Sequence, residues 1–274
     1  MCAGVLDPDG RALGCERGHR FDLARQGYAS LLAGKATAHR SDTAQMVAAR
    51  ARVFDAGLYD PIVTAVAQTV SSPRLPLTGD SPLIIDAGGG TGSYLSSALD
   101  RAPGSTGVSI DLSKFCARAA ARAHPRIVSV VADVWAGLPV CSGVADAALS
   151  VFAPRNVADT ARVLADGGRW VIVTPNPGHL AEVVGPLGML RVGEGKQDRL
   201  SADLAAAFDV VSADRVTARR RLDTAQLADV AGMGPAGFHR SRSEIEADAG
   251  ALARGGQVEV TLDVTVTLAR RRSG

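Results

Sequence analysis

The chain has few of the features that would mark a specialised environment. Four cysteines in 274 residues are too few for a disulfide scaffold, which leaves reduced thiols or metal ligands as their roles. No stretch reaches the roughly 18 apolar residues needed to span a bilayer, and the N-terminus lacks the basic-then-apolar order of a signal peptide. A cytoplasmic protein without membrane partners is the expectation. Charge of one sign is also missing: 30 Lys and Arg against 28 Asp and Glu leave +2, too little to demand a polyanionic partner. Arginine is nonetheless clustered at Arg219 to Arg221 and Arg270 to Arg272, so nucleic acid is permitted. Cys116 and Cys141 stand alone among apolar residues and read as buried small hydrophobes.

What is present divides the chain into three parts. Residues 1–35 are irregular, with turn signals at Asp7-Pro8-Asp9-Gly10 and Arg17-Gly18, and are too poor in apolar residues to hold together without a staple. Residues 36–81 hold two helices between Ser41 and Val70, with Ser41-Asp42 as the cap and a break at Gly57, followed by a linker rich in Ser, Pro and Gly. Residues 82–274 repeat a short apolar run, a Gly-rich or acidic turn and a helical stretch. The runs are 83–85, 105–110, 127–131, 145–151 and 169–173, and they predict parallel strands joined by helices in a doubly wound, Rossmann-like α/β fold. Leu164-Ala-Asp-Gly-Gly168 supplies a tight turn before the last of them. Gln257 to Leu268 alternates at period two and predicts an antiparallel strand near a sheet edge.

Asp86-Ala-Gly88-Gly-Gly90-Thr-Gly92 follows the first run and opens a helix, so its backbone can approach a ligand at a helix N-terminus. The spacing differs from the dinucleotide fingerprint and an acid leads it, as in S-adenosylmethionine-dependent methyltransferases, where that acid orients the cofactor's amino group. Asp111, with Leu112 beside it, ends the next run and can accept ribose hydroxyls. Asp133 ends the third run beside the adenine position, where Val134 and Trp135 can pack on the ring. Asp111 and Asp133 could instead cap local turns. Methyltransferases acting on exocyclic amines carry an Asn/Asp-Pro-Pro-aromatic motif after the fourth strand. Val151-Phe152-Ala153-Pro154-Arg155 stands there instead, without a side-chain acceptor, which argues against adenine N6 chemistry and leaves ring nitrogen, oxygen and carbon open.

Cys15-Glu-Arg-Gly-His19-Arg-Phe21, Gly27-Tyr28, Ser41-Asp42 through Arg50, Phe54-Asp55-Ala56-Gly57-Leu-Tyr59, Asp111-Leu-Ser113-Lys114, Phe152-Ala153-Pro154 and Thr174-Pro-Asn-Pro-Gly-His179-Leu180 together resemble the RlmA-type ribosomal RNA methyltransferases. The likeness covers nearly the whole chain. It implies methylation of guanine N1 in a hairpin loop of large-subunit (23S) ribosomal RNA, in a family that includes macrolide-resistance members of the TlrB kind. It implies cofactor contacts at Tyr59, Tyr94, Leu95 and His179, a small N-terminal zinc-ribbon-like domain, and dimerisation. Cys15 and His19 match the second ligand pair of the family's structural zinc site and Cys2 matches one member of the first pair; the other is missing. Either the true start lies upstream, which is the favoured expectation, or the site has decayed. The family's tryptophan-containing segment is replaced by Gly234-Pro235-Ala236-Gly237-Phe238-His239-Arg240, so the target-base pocket differs in detail.

Guanine N1 carries a proton at neutral pH, so a carboxylate or imidazole near the methyl group is useful; His179 and Glu182 are the candidates. The target must leave its stack or lie in a loop, because its Watson-Crick edge is the reacting edge. Two rivals stay open: a small-molecule methyltransferase, and a protein that binds the cofactor without methylating RNA.

Overall fold

The structure is a computed structural model that describes residues 4–32, 37–77, 80–191, 193 and 196–273. Three short strands, β1 (Asp7–Asp9), β2 (Ala12–Gly14) and β3 (Arg20–Asp22), form a small antiparallel sheet at the N-terminus. The region expected to be irregular is therefore a ribbon, built on turns too short to show periodicity. Its continuation, β4 (Tyr28–Ser30), leaves that sheet and joins the edge of the main one.

Helices α1 (Ala44–Asp55) and α2 (Asp60–Val70) follow. The cap of α1 is Thr43, whose hydroxyl accepts from Met46 N at 3.3 Å, not Ser41-Asp42; the Asp42 carboxylate is engaged by Arg50 at 2.7 Å instead. After them come β5 (Leu83–Ala87), α3 (Ser93–Arg101), β6 (Thr106–Asp111), α4 (Lys114–Ala123), β7 (Ile127–Val131), β8 (Ala145–Val151), α5 (Val157–Val163), β9 (Leu164–Pro175), α6 (Ala181–Val184), α7 (Lys196–Leu204), β10 (Phe208–Leu222), α8 (Thr224–Gly232), α9 (Arg242–Ala253) and β11 (Val258–Arg271).

The eight-stranded sheet runs β10-β11-β9-β8-β5-β6-β7-β4. Strands β4 to β9 in it are mutually parallel, while β11 is antiparallel to both β9 and β10. Alternation along each strand separates two cores. Ile84, Val171 and Val173 face α2, α3, α8 and α9, while Ile85, Trp170 and Ile172 face α5 and α7. That period of two is what buries both faces of the sheet. Strand β11 lies one position in from the edge, as its pattern predicts. The edge itself is β10, which sequence reading missed: a run such as Asp214-Arg-Val-Thr-Ala-Arg-Arg-Arg221 is a charged edge strand that only its pairing with β11 reveals. Cys116 is buried as expected, but Cys141 is exposed in the turn before β8.

Chain order reverses at β5 and β8: β6 and β7 extend the sheet to one side, β9 to the other. A crevice opens at such a point, beyond the carboxyl ends of the strands.

Candidate active site

The crevice is a cavity of about 470 Å³ whose wall includes Gly88, Gly90, Asp111, Leu112, Asp133, Val134, Tyr59, Tyr94 and His179. One side is the turn after β5. Gly88 has φ +79°, and a Cβ there would lie 2.6 Å from Ala153 Cβ, so only glycine lets the turns after β5 and β8 touch. At Gly90, φ +56°, a Cβ would come within 3.1 Å of the Arg50 guanidinium. Gly92 is the left-handed residue that starts α3.

Asp86 lies behind this turn, 1% exposed, and among the described residues its Oδ2 has no partner. Burial, and secondarily the neighbouring Asp111, push its carboxyl up to about 7. The hydroxyls of Tyr94 and Ser109 are likewise buried without partners. Native structures leave few such groups, and three together around a glycine turn mark a place where a polar ligand completes the hydrogen bonding. Asp111, at the end of β6, accepts from Gly90 N at 3.0 Å and from Ser113 N at 2.8 Å. Burial raises its pKa, with those two bonds opposing. Each carboxylate oxygen retains accepting capacity. Asp133, after β7, accepts from Trp135 N at 3.0 Å and from the Thr37 hydroxyl at 2.6 Å. It does cap a short turn, yet it also lines the cavity. Because β5, β6 and β7 are adjacent, the three acids read from the sequence stand in a row.

The opposite wall is built differently. His179 follows β9; its Nδ1 accepts from Asp263 N at 3.2 Å and its Nε2 lies 3.5 Å from the Tyr59 hydroxyl. With Nδ1 accepting, the ring proton sits on Nε2. Burial drives the imidazole down to about 4, so it is neutral at physiological pH. Asp263, in turn, is held by Arg215 at 2.7 and 2.8 Å and by Asn176 at 2.8 Å. The Phe152 ring is 5.5 Å from that of His179. Phe152 adopts φ 53°, a left-handed conformation uncommon for a bulky residue, and remains 41% exposed. Trp135, 50% exposed, is the other aromatic at the rim.

Four expected site residues are not on the cavity wall: Asp86 lies behind the glycine turn, Gly92 starts α3 beyond it, and Leu95 and Glu182 point elsewhere. Leu95 is fully buried in α3, under β6. Glu182 accepts from Thr261 N at 3.1 Å and from the Thr261 hydroxyl at 2.6 Å; partial burial opposes, but those bonds hold its carboxyl below the usual range. Arg50, Phe54 and Met233 line the cavity without having been named as site residues, and Pro235 brings the divergent segment after α8 to the same wall. Arg50 sits in an Ala-Arg-rich helix where nothing distinguishes it from Arg52, which instead pairs with Asp229 at 2.7 Å on the far side of α1.

In the ribbon, a turn closed by Gly18 N to Cys15 O at 2.9 Å brings Cys15 Sγ to 3.4 Å from His19 Nδ1. Cys2 lies outside the described residues. Among the described residues no group of three potential ligands is gathered, so these two donors fit half of a zinc site.

Comparison with known proteins joins these regions. The family model described as RlmA, N-terminal, a zinc ribbon, matches residues 1–37. The 23S rRNA (guanine(748)-N(1))-methyltransferase of Streptomyces fradiae is 44% identical over 269 residues, covering 98% of this chain and 94% of the relative. A putative 23S rRNA (guanine-N(1)-)-methyltransferase of Micromonospora griseorubida is 39% identical over 272 residues, 96% of this chain and 90% of the relative. Among solved structures, a chain of the complex between the Haloferax volcanii Trm112 methyltransferase activator and the putative methyltransferase superposes with a TM-score of 0.53 at 17% identity, covering 86% of this chain and 100% of that one. At that identity the likeness speaks for the fold alone.

Proposed function

The chain belongs to the RlmA family of 23S rRNA (guanine-N1)-methyltransferases, and on that premise we propose that it methylates N1 of a guanine in a loop of large-subunit ribosomal RNA. The observation that carries the reading is the row of Asp86, Asp111 and Asp133 at three neighbouring strand ends, where Asp86 Oδ2 and the Tyr94 and Ser109 hydroxyls are buried without partners among the described residues. This donor and acceptor set fits S-adenosylmethionine. Asp86 and the Gly88 turn would hold the amino acid end, Asp111 the ribose, and Asp133, Leu112 and Val134 the adenine. The cofactor supplies the methyl group on a sulfonium centre.

The rest of the chemistry belongs to the protein's own groups and is mostly positioning. Phe152 and Trp135 offer exposed ring faces at the rim on which an unstacked base can lie. His179, neutral and with its proton on Nε2, orients Tyr59 and the Phe152 ring and takes no proton from guanine. Glu182, tied to Thr261, is out of reach of the cavity wall. The N1 proton therefore leaves through the open rim to water.

We read residues 1–35 as a small zinc-binding domain, whose strand β4 joins the edge of the main sheet, residues 36–81 as a helical segment and linker, and residues 82–274 as the methyltransferase domain. Cys2, Cys15 and His19 are the proposed structural zinc ligands of the small domain. Metal analysis of the purified chain tests this: zinc retained by the native protein and lost in Cys15→Ser is expected, and no zinc in either refutes it. Among the described residues no helix is long and apolar enough to cross a membrane; a ribosomal RNA substrate supports a cytoplasmic location as part of this proposal. Dimerisation in solution is a further expectation from the family.

The decisive assay transfers labelled methyl groups from S-adenosylmethionine to unmodified large-subunit RNA and identifies the product nucleoside. The expected product is 1-methylguanosine; any other methylated nucleoside, or none, overturns the assignment.

A further inference from the structure

Arg50 is an arginine on the wall of the cavity, on α1 and outside the strand-end motifs. Its Nη2 is occupied twice, by Asp42 Oδ2 at 2.7 Å and by the Met233 carbonyl at 3.0 Å. Among the described residues its Nη1 has the Cys116 sulfur alone, at 3.8 Å, a weak acceptor. A guanidinium carries five N–H donors in a rigid fork, so among the described residues the second Nη1 hydrogen and the Nε hydrogen have no acceptor. The side chain is 23% exposed, and Nη1 faces Gly90, where even a methyl group would crowd it at 3.1 Å. Asp42 and Met233 thus fix the guanidinium while its Nη1 borders the glycine turn.

We propose that Arg50 binds the carboxylate of the cofactor's methionine moiety, so that the zwitterionic end is read by a pair of opposite charges, Arg50 for the carboxylate and Asp86 for the ammonium. The proposal rests on the S-adenosylmethionine reading above. An anion suits the donor that remains, since the free Nη1 hydrogen of a fixed guanidinium beside the glycine turn can make a charge-assisted bond to a carboxylate or phosphate oxygen. The carboxylate is favoured over an RNA phosphate because Arg50 is mostly buried beside Gly90, whereas a nucleic acid backbone would run across the rim. Asp42 is a positioning residue here: it neutralises the guanidinium in the ligand-free protein and holds its orientation.

Calorimetric titration of the full chain with three ligands tests the assignment without relying on turnover. The ligands are S-adenosylhomocysteine, its decarboxylated analogue, and methylthioadenosine, which lacks the amino acid end. In the native protein S-adenosylhomocysteine should bind about ten- to a hundredfold more tightly than the decarboxylated analogue, the size expected for charge-assisted bonds. Arg50→Met should abolish that preference while leaving methylthioadenosine affinity unchanged, and Arg50→Lys, retaining charge without the fork, should restore part of it. A preference that survives Arg50→Met overturns the proposal, and survival together with weakened RNA binding reassigns the guanidinium to a phosphate. Should Arg50→Met not fold, the Arg50→Lys comparison decides alone: an undiminished preference rejects the role. Failure of all three ligands to bind the native protein refutes the cofactor reading itself, a distinct outcome.

Discussion

The two walls of the cavity handle polarity in opposite ways. On the glycine-turn side the fold leaves Asp86, Tyr94 and Ser109 with unmet hydrogen-bonding demand. On the side of β9, His179, Asp263, Asn176 and Arg215 satisfy one another in a closed chain. A wall with unmet demand binds a polar ligand strongly, because the ligand supplies what burial removed. A wall that is already satisfied gains little from new polar contacts and acts through shape and ring faces. The first is therefore where affinity for a charged cofactor arises, and the second is where an acceptor base is placed.

Asp86→Asn should break this comparison most severely. Removing the carboxylate deletes the partner for an ammonium, and S-adenosylhomocysteine affinity should fall about a hundredfold or more by calorimetry. The same change should stabilise the ligand-free protein. The folded carboxyl ionises at about 7 against an ordinary 3.8, so the folded state holds the proton more firmly and stability falls as pH rises through that window. At pH 8 the thermal midpoint of Asp86→Asn should exceed that of the native chain; a lower midpoint contradicts the burial argument. By the same sign, cofactor affinity of the native chain should rise from pH 6 to pH 8 and then level off.

Phe152→Ala sharpens the contrast from the other wall. Stacking on an aromatic face is worth about 1–3 kcal/mol per base, so RNA methylation should fall by roughly tenfold or more while S-adenosylhomocysteine binds as before. Equal loss of both would show that the walls are not separable. His179→Gln tests the neutral imidazole. With a folded pKa near 4, His179 should contribute no limb to the rate profile between pH 5 and 8, and the variant's profile should keep the native shape at a reduced rate. A limb near 6.5 that disappears in the variant makes His179 a base after all. The smallest effect is expected for Thr43→Ala, which removes the cap of the helix carrying Arg50. About 1 kcal/mol of stability should be lost, seen as a small drop in thermal midpoint, with cofactor affinity retained.

The glycine-turn wall was legible in the sequence and the other wall was not, for a physical reason. Asp86, Asp111 and Asp133 each follow a short apolar run, and in a doubly wound sheet a residue ending one parallel strand must neighbour the residue ending the next. Local pattern plus topology therefore places them together. Arg50 and Met233 reach the cavity from helices far apart in the chain, and no local rule aims α1 or α8 at the turn after β5. Likeness to a family named Tyr59 and His179 as neighbours of the cofactor, yet their contact with each other and the amide of Asp263 depends on β11 lying beside β9. Glu182 shows the same limit from the other direction: three residues past a loop histidine it reads as a base, and the fold turns it toward Thr261.

The sequence by itself determined the doubly wound sheet, the glycine turn, the order of the three acids and the antiparallel strand next to the edge, because each is written in spacing and in hydrophobic period. Tertiary structure alone decided that β10 forms the edge, that β4 of the ribbon joins β7, that Asp86 is buried without a partner, and which arginine of α1 faces the cavity. Those features arise from contacts between segments distant in the chain, where burial and charge are set by whatever the fold brings alongside.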